Sequence, residues 1–182
     1  MSYFHTCATT HGRKFVSENA PFLSRANGPT KWQWLSQGYY FWPDEDYFAH
    51  IWGRDAYKDD YAIIKCEINL SANVVLNLAS NITHSLYFKN LIELYIKKIK
   101  EVDPDAKPTV STVIEHFRLE AQKNKDIFPF EAIQAADCSS DAPKIQFTPN
   151  CSNYMITIPR LQLCLFQSSH SAITSKVICH FS

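Results

Sequence analysis

At 182 residues, with 46% apolar and 20% charged side chains, the chain is long enough to bury a sizeable core and too apolar to be disordered. Its 18 basic and 18 acidic residues cancel. That argues against a constitutive nucleic-acid or membrane-surface binder, though not against an enzyme that meets a nucleic acid briefly. No run of about 20 apolar residues could cross a bilayer. The opening Met-Ser-Tyr-Phe-His lacks the basic and apolar stretches of a secretion signal, so a cytoplasmic protein with no membrane partner is expected.

Ser2 to Cys7 is apolar enough for an opening strand. Residues 17 to 37, with Pro21, Gly28 and Pro29, read as a short helix and loop. Tyr39 to Trp42 is a four-residue aromatic run, too short for a helix and rich in strand formers. Pro43 and the acids Asp44, Glu45 and Asp46 then open a predicted helix whose apolar face carries Phe48, Ile51 and Trp52 and which Gly53 ends. Tyr61 to Ile68 and Val74 to Leu78 read as strands. Leu86 to Val102 places Leu91, Leu94, Tyr95 and Ile99 at helical spacing, with lysines towards its end. Val110 to Lys123 is a second helix, with Val113, Ile114, Phe117 and Ala121 inward.

From Phe128 the chain turns β-rich, with strands expected at Phe130 to Ile133, Ile145 to Phe147, Tyr154 to Ile158, Leu161 to Phe166 and Lys176 to Phe181. No repeat, low-complexity tract or linker divides the chain, so residues 1–182 are read as one α+β domain on antiparallel sheet. The six cysteines (Cys7, Cys66, Cys138, Cys151, Cys164, Cys179) show no CxxC spacing. They are expected to be reduced thiols, with no structural zinc or other metal.

Three short segments carry candidate chemistry. His5 sits in the opening strand and, with its near-neutral pKa, is either a hydrogen-bonded core residue or a donor to a ribose hydroxyl. Tyr40 is either a core aromatic or a stacking platform. Gln162 points away from the face of Leu161 and Leu163; if buried, its amide belongs to a structural network or touches a ligand. Glu131, in Phe128-Pro129-Phe130-Glu131, is either an exposed strand carboxylate or an acid lining an acceptor site. The four tryptophans could build an aromatic platform or pack the core and rim. Arg13, Lys14, Arg25 and Lys31 give the first third a modest basic bias.

In order and context these segments resemble the ADP-ribosyltransferase superfamily, in its His-Tyr-Glu branch, and within it a group of small bacterial toxins. The residues concerned are Phe4-His5-Thr6-Cys7, Trp34-Leu35-Ser36-Gln37-Gly38-Tyr39-Tyr40-Phe41-Trp42 and Leu161-Gln162-Leu163-Cys164-Leu165. The resemblance implies split antiparallel β-sheets flanked by helices, with NAD as co-substrate. It implies that His5 bonds the nicotinamide ribose, the Thr6 backbone pairs with the carboxamide, and Tyr40 stacks on the nicotinamide. Gly38 and Arg25 complete the NAD-binding set, Arg25 at the phosphates. Thr6 stands where the family has Gly, which puts a Cβ where the ligand approaches. Gln162 stands where the parent pattern has a catalytic Glu. A neutral amide neither stabilises a cation as an anion does nor accepts a proton, so single transfer, not chain elongation, is expected. Glu131 is then a candidate for deprotonating the acceptor. The implied partners are NAD, a macromolecular acceptor (RNA or another nucleic acid ahead of a protein side chain) and an antitoxin protein. The two departures also leave open a catalytically inactive NAD-binding module.

Overall fold

The computed structural model describes residues 2–28, 32–137, 139 and 142–182; Pro29, Lys31 and Cys138, named above, lie outside the described residues. In chain order the elements are β1 (Ser2–Ala8), α1 (Gly12–Asn19), β2 (Tyr39–Pro43), α2 (Tyr47–Tyr57), β3 (Tyr61–Ile68), β4 (Val75–Asn77), α3 (Ile82–Lys100), α4 (Val110–Ala121), β5 (Ala132–Asp137), β6 (Lys144–Gln146), β7 (Tyr154–Ile156), β8 (Arg160–Leu165) and β9 (Ile173–Phe181). The architecture is mixed α+β: a seven-stranded sheet in the order β4-β5-β8-β2-β1-β3-β9, with β6 and β7 forming a separate two-stranded ladder. All strand pairs are antiparallel except β4 with β5, which run parallel.

Strand β2 is where the sheet divides. Its first three residues pair with β8 (Tyr39 opposite Leu165, Tyr40 opposite Cys164, Phe41 opposite Leu163). Only Trp42 and Pro43 pair with β1, opposite Phe4 and Tyr3. Beyond Phe4 the edge of β1 that faces β2 has no ladder partner among the described residues, although its other edge pairs with β3 along its whole length.

Side-chain alternation along these strands feeds three apolar clusters. Leu76, Ile133 and Cys164 pack under α3 and α4 with Phe88, Leu91, Val113, Ile114 and Phe117. On the opposite face Phe41, Ala62, Ile64, Leu163 and Leu165 meet Val16 of α1. Phe4, Trp42, Tyr61 and Ile63 pack on Ala49 of α2. Helix α4 starts where its sequence directs: after Pro108, Thr109 and Thr112 cap each other's backbone reciprocally.

Several sequence expectations are corrected by this packing. The first helix lies at Gly12–Asn19 and overlaps the 17 to 37 region only at its start; after Asn19 that region is irregular in its described part. Pro43 closes β2, and the next helix begins only at Tyr47. Gly53 does not end that helix but sits buried in its middle, where a Cβ would stand 2.3 Å from the Tyr61 ring. The inward positions of α2 are accordingly Ala49 and Gly53, while Trp52 is exposed. Leu94 on α3 is likewise exposed; Phe88 and Leu91 turn inward.

Candidate active site

A cleft of about 1010 Å3 opens where β1 and β2 diverge, at the upper end of the roughly 300–1,000 Å3 typical of small-molecule sites. His5, Thr6, Arg25, Tyr40 and Gln162 all line it, as do Asp137 and Arg160. Five residues separated by up to 157 positions in the chain therefore share one concavity.

His5 is buried and its tautomer is fixed by its partners. The Phe22 backbone N–H donates to Nε2 at 3.1 Å, so Nδ1 carries the hydrogen and donates to the Tyr40 carbonyl at 2.9 Å. The ring thus bridges the gap left where the β1–β2 ladder stops. Burial lowers its pKa to about 4, partly opposed by the bond to Tyr40, so the imidazole is neutral near pH 7. In this arrangement neither ring nitrogen is left for a ribose hydroxyl. Thr6 is also buried, and its hydroxyl donates to the Ala49 carbonyl of α2 at 3.0 Å, which directs the polar tip towards that helix.

Tyr40 stands between core and cleft. It packs against the α3–α4 cluster and also lines the cleft. Its hydroxyl donates to the Ser36 carbonyl at 2.8 Å and accepts from the Leu35 N–H at 3.0 Å, which pins the preceding loop. Burial raises its pKa, so it stays protonated. Gly38 lies behind the cleft: a Cβ there would stand 2.4 Å from Cys164 Sγ and 2.6 Å from the Leu165 carbonyl oxygen. Its role is close approach of loop to strand β8, not ligand contact.

Gln162 shares the face of Cys164, opposite Leu163 and Leu165, as its apolar neighbours dictate. Its Oε1 accepts from Trp34 Nε1 at 2.7 Å. On the adjacent strand Asp137 pairs with Arg160, Arg160 Nε donating to Asp137 Oδ2 at 2.7 Å. Arg25 is exposed at the rim and makes no ion pair among the described residues.

Glu131 is elsewhere. It precedes β5 and borders a second cavity of about 1070 Å3 with Arg118, Phe128 and Phe166. Gln162 pairs opposite Ala135, whereas the Glu131 carbonyl accepts from the Phe166 N–H. Four residues of strand separate the two positions, about 13 Å at the usual rise. Glu131 therefore cannot deprotonate an acceptor at Gln162.

The residues that sequence reasoning did not single out hold the cleft from outside. Asn27 donates to Ser111 Oγ and Glu115 Oε1, both at 2.6 Å, and accepts from the Gln33 N–H. Arg118 lies over the Phe166 ring at 3.9 Å and donates to Ser36 Oγ and the Gln37 carbonyl, both at 2.9 Å. These bonds tie Asn27, Ser36 and Gln37 to α4 across more than 70 residues of sequence, and no local pattern announces them. Burial pushes the Cys164 thiol up to about 12, so it is an inert packing group. The described cysteines Cys7, Cys66, Cys151, Cys164 and Cys179 are free thiols. Among the described residues no cluster of His, Cys, Asp and Glu is arranged to hold a metal ion, and no helix is long and apolar enough to cross a membrane. Comparison with protein-family models, with curated proteins and with solved structures finds no match to this chain.

Proposed function

We propose that the cleft binds NAD and that the protein transfers a single ADP-ribose from it to a macromolecule. The observation that carries this reading is the convergence of His5, Thr6, Arg25, Tyr40 and Gln162 on one concavity where the sheet divides. The unpaired edge of β1 offers backbone groups to a carboxamide, the ring of Tyr40 offers a stacking surface, and Arg25 offers a cation to phosphates. In the reaction the bond between the ribose anomeric carbon and nicotinamide breaks. Nicotinamide departs with the bonding pair, and the acceptor nucleophile bonds the same carbon and releases its proton to solvent. With Glu131 distant and Gln162 neutral, an acceptor that needs little base assistance fits best, such as an exocyclic base amine of RNA. A self-intoxicating activity of this kind would act as a toxin or phage-defence effector restrained by an antitoxin protein.

Incubating the protein with labelled NAD and separate pools of RNA, DNA and protein tests the reading; RNA is expected to take the label. NAD left intact with every pool unlabelled would sink it. A second reading, a catalytically silent NAD-binding module, is favoured by the engagement of both His5 nitrogens with backbone. It predicts calorimetric NAD binding with no release of nicotinamide.

A further inference from the structure

We propose that Trp34 is a positioning residue that fixes the polarity of Gln162, so that the cleft presents a hydrogen-bond donor here and the ligand atom it recognises is an acceptor. This rests on the reading of the cleft as an NAD site. An indole nitrogen carries a hydrogen and offers no lone pair, so Trp34 Nε1 can only donate. At 2.7 Å its partner must be the amide oxygen of Gln162, because the opposite orientation would set two donors against each other. With the oxygen engaged, the amide –NH2 is the group left over, and it has no hydrogen-bond partner among the described residues. Gln162 lines the cleft, so that group is available to a molecule bound there.

The donor is itself held in place. The Gln33 N–H is anchored on Asn27 Oδ1, the Leu35 N–H on the Tyr40 hydroxyl, and the Leu35 side chain is fully buried, so the backbone on both sides of Trp34 is fixed. The Trp34 ring packs against the α3–α4 cluster. A carboxylate at position 162 would accept a ribose hydroxyl hydrogen; the oriented amide instead donates to an oxygen lone pair of the ribose or carboxamide. The local polarity is reversed, and the reversal is set by a residue 128 positions away in sequence.

Calorimetry with NAD on the full chain tests this. Gln162→Glu keeps shape and reverses polarity, and should weaken NAD binding about tenfold or more. Trp34→Phe keeps the ring but frees the amide to rotate; it should weaken binding several-fold, and not at all in a Gln162→Ala background. Binding by Gln162→Glu as tight as wild type, or an equal loss from Trp34→Phe in both backgrounds, would overturn the proposal. A ligand-free measurement separates the two layers. In 1H–15N spectra, the Trp34 indole resonance, assigned by its loss in Trp34→Phe, should shift on Gln162→Ala. If it does not move, the amide is not held by Trp34 and the proposal fails whatever NAD does. If it moves and wild type binds no NAD, the NAD reading falls and takes the ligand half of the proposal with it.

Discussion

An imidazole whose two nitrogens both bond backbone is held neutral by its surroundings, and that has a thermodynamic consequence at His5. Its folded pKa of about 4 lies below the ordinary histidine value of about 6.5. Between those values the unfolded chain binds the extra proton, so acid favours unfolding. The contribution is complete above about pH 6.5 and is lost as pH falls through about 4, roughly 3 kcal/mol in all and about 2 kcal/mol by pH 5. Burial lowers His116 and His180 as well, so the slope is assigned with a variant. Urea unfolding at pH 7 and pH 5 should show the loss in wild type, and His5→Gln should be weaker at pH 7 with a flatter dependence. An unchanged slope in His5→Gln would assign the effect to other groups. At Tyr40 the two roles separate by substitution. Tyr40→Phe removes the bonds to Leu35 and Ser36 and should cost about 1–3 kcal/mol while keeping the ring in the cleft. NAD affinity should then fall several-fold, because the backbone that carries Trp34 loosens, whereas Tyr40→Ala, which also removes the ring, should lose more of both stability and binding.

At the scale of elements, β2 and β8 meet through a glycine. Gly38→Ala puts a methyl into Cys164 Sγ and the Leu165 carbonyl and should destabilise by about 1–3 kcal/mol or more, read as a lower melting temperature. A Gly38→Ala variant as stable as wild type would show that the loop can lift off β8. Glu131→Gln, by contrast, should leave NAD cleavage within twofold of wild type, since the carboxylate borders the other cavity. Much at this scale was legible in sequence, because strong local patterns decide it: the aromatic run of β2, the inward Val113, Ile114 and Phe117 of α4, and the alternation at Leu161 to Leu165. What failed were positions decided by a distant neighbour. Gly53 reads as a helix terminator until Tyr61 of β3 covers it, and Leu94 keeps a helical spacing but lies off the buried face of α3, which runs through Phe88, Leu91, Ile92 and Tyr95. The site followed the same rule. His5, Tyr40 and Gln162 are on strands that the sequence located, whereas the adjacency of those strands, the bond from Trp34 to Gln162 and the distance of Glu131 arise only from folding.

Taken as a whole, the molecule braces the wall of the cleft from its far side. Helix α4 holds Asn27, Ser36 and Gln37 through Ser111, Glu115 and Arg118, and the segment from Trp34 to Ser36 in turn holds Tyr40 and Gln162. Arg118→Gln, which touches nothing in the cleft, should therefore lower stability and weaken NAD binding several-fold, with faster amide hydrogen exchange at Leu35 and Ser36. Undisturbed exchange at these two amides would show that the loop holds its shape unaided. The divided pairing of β2 gives the cleft an unusual floor. Where a continuous sheet would lay a rung of backbone, this one lays an imidazole, so the depth of the cavity is a side-chain property. A smaller residue at position 5 would deepen the cavity towards Phe22 and Phe41, and a larger one would make it shallower, which makes residue 5 the gauge of the cavity's reach into the sheet.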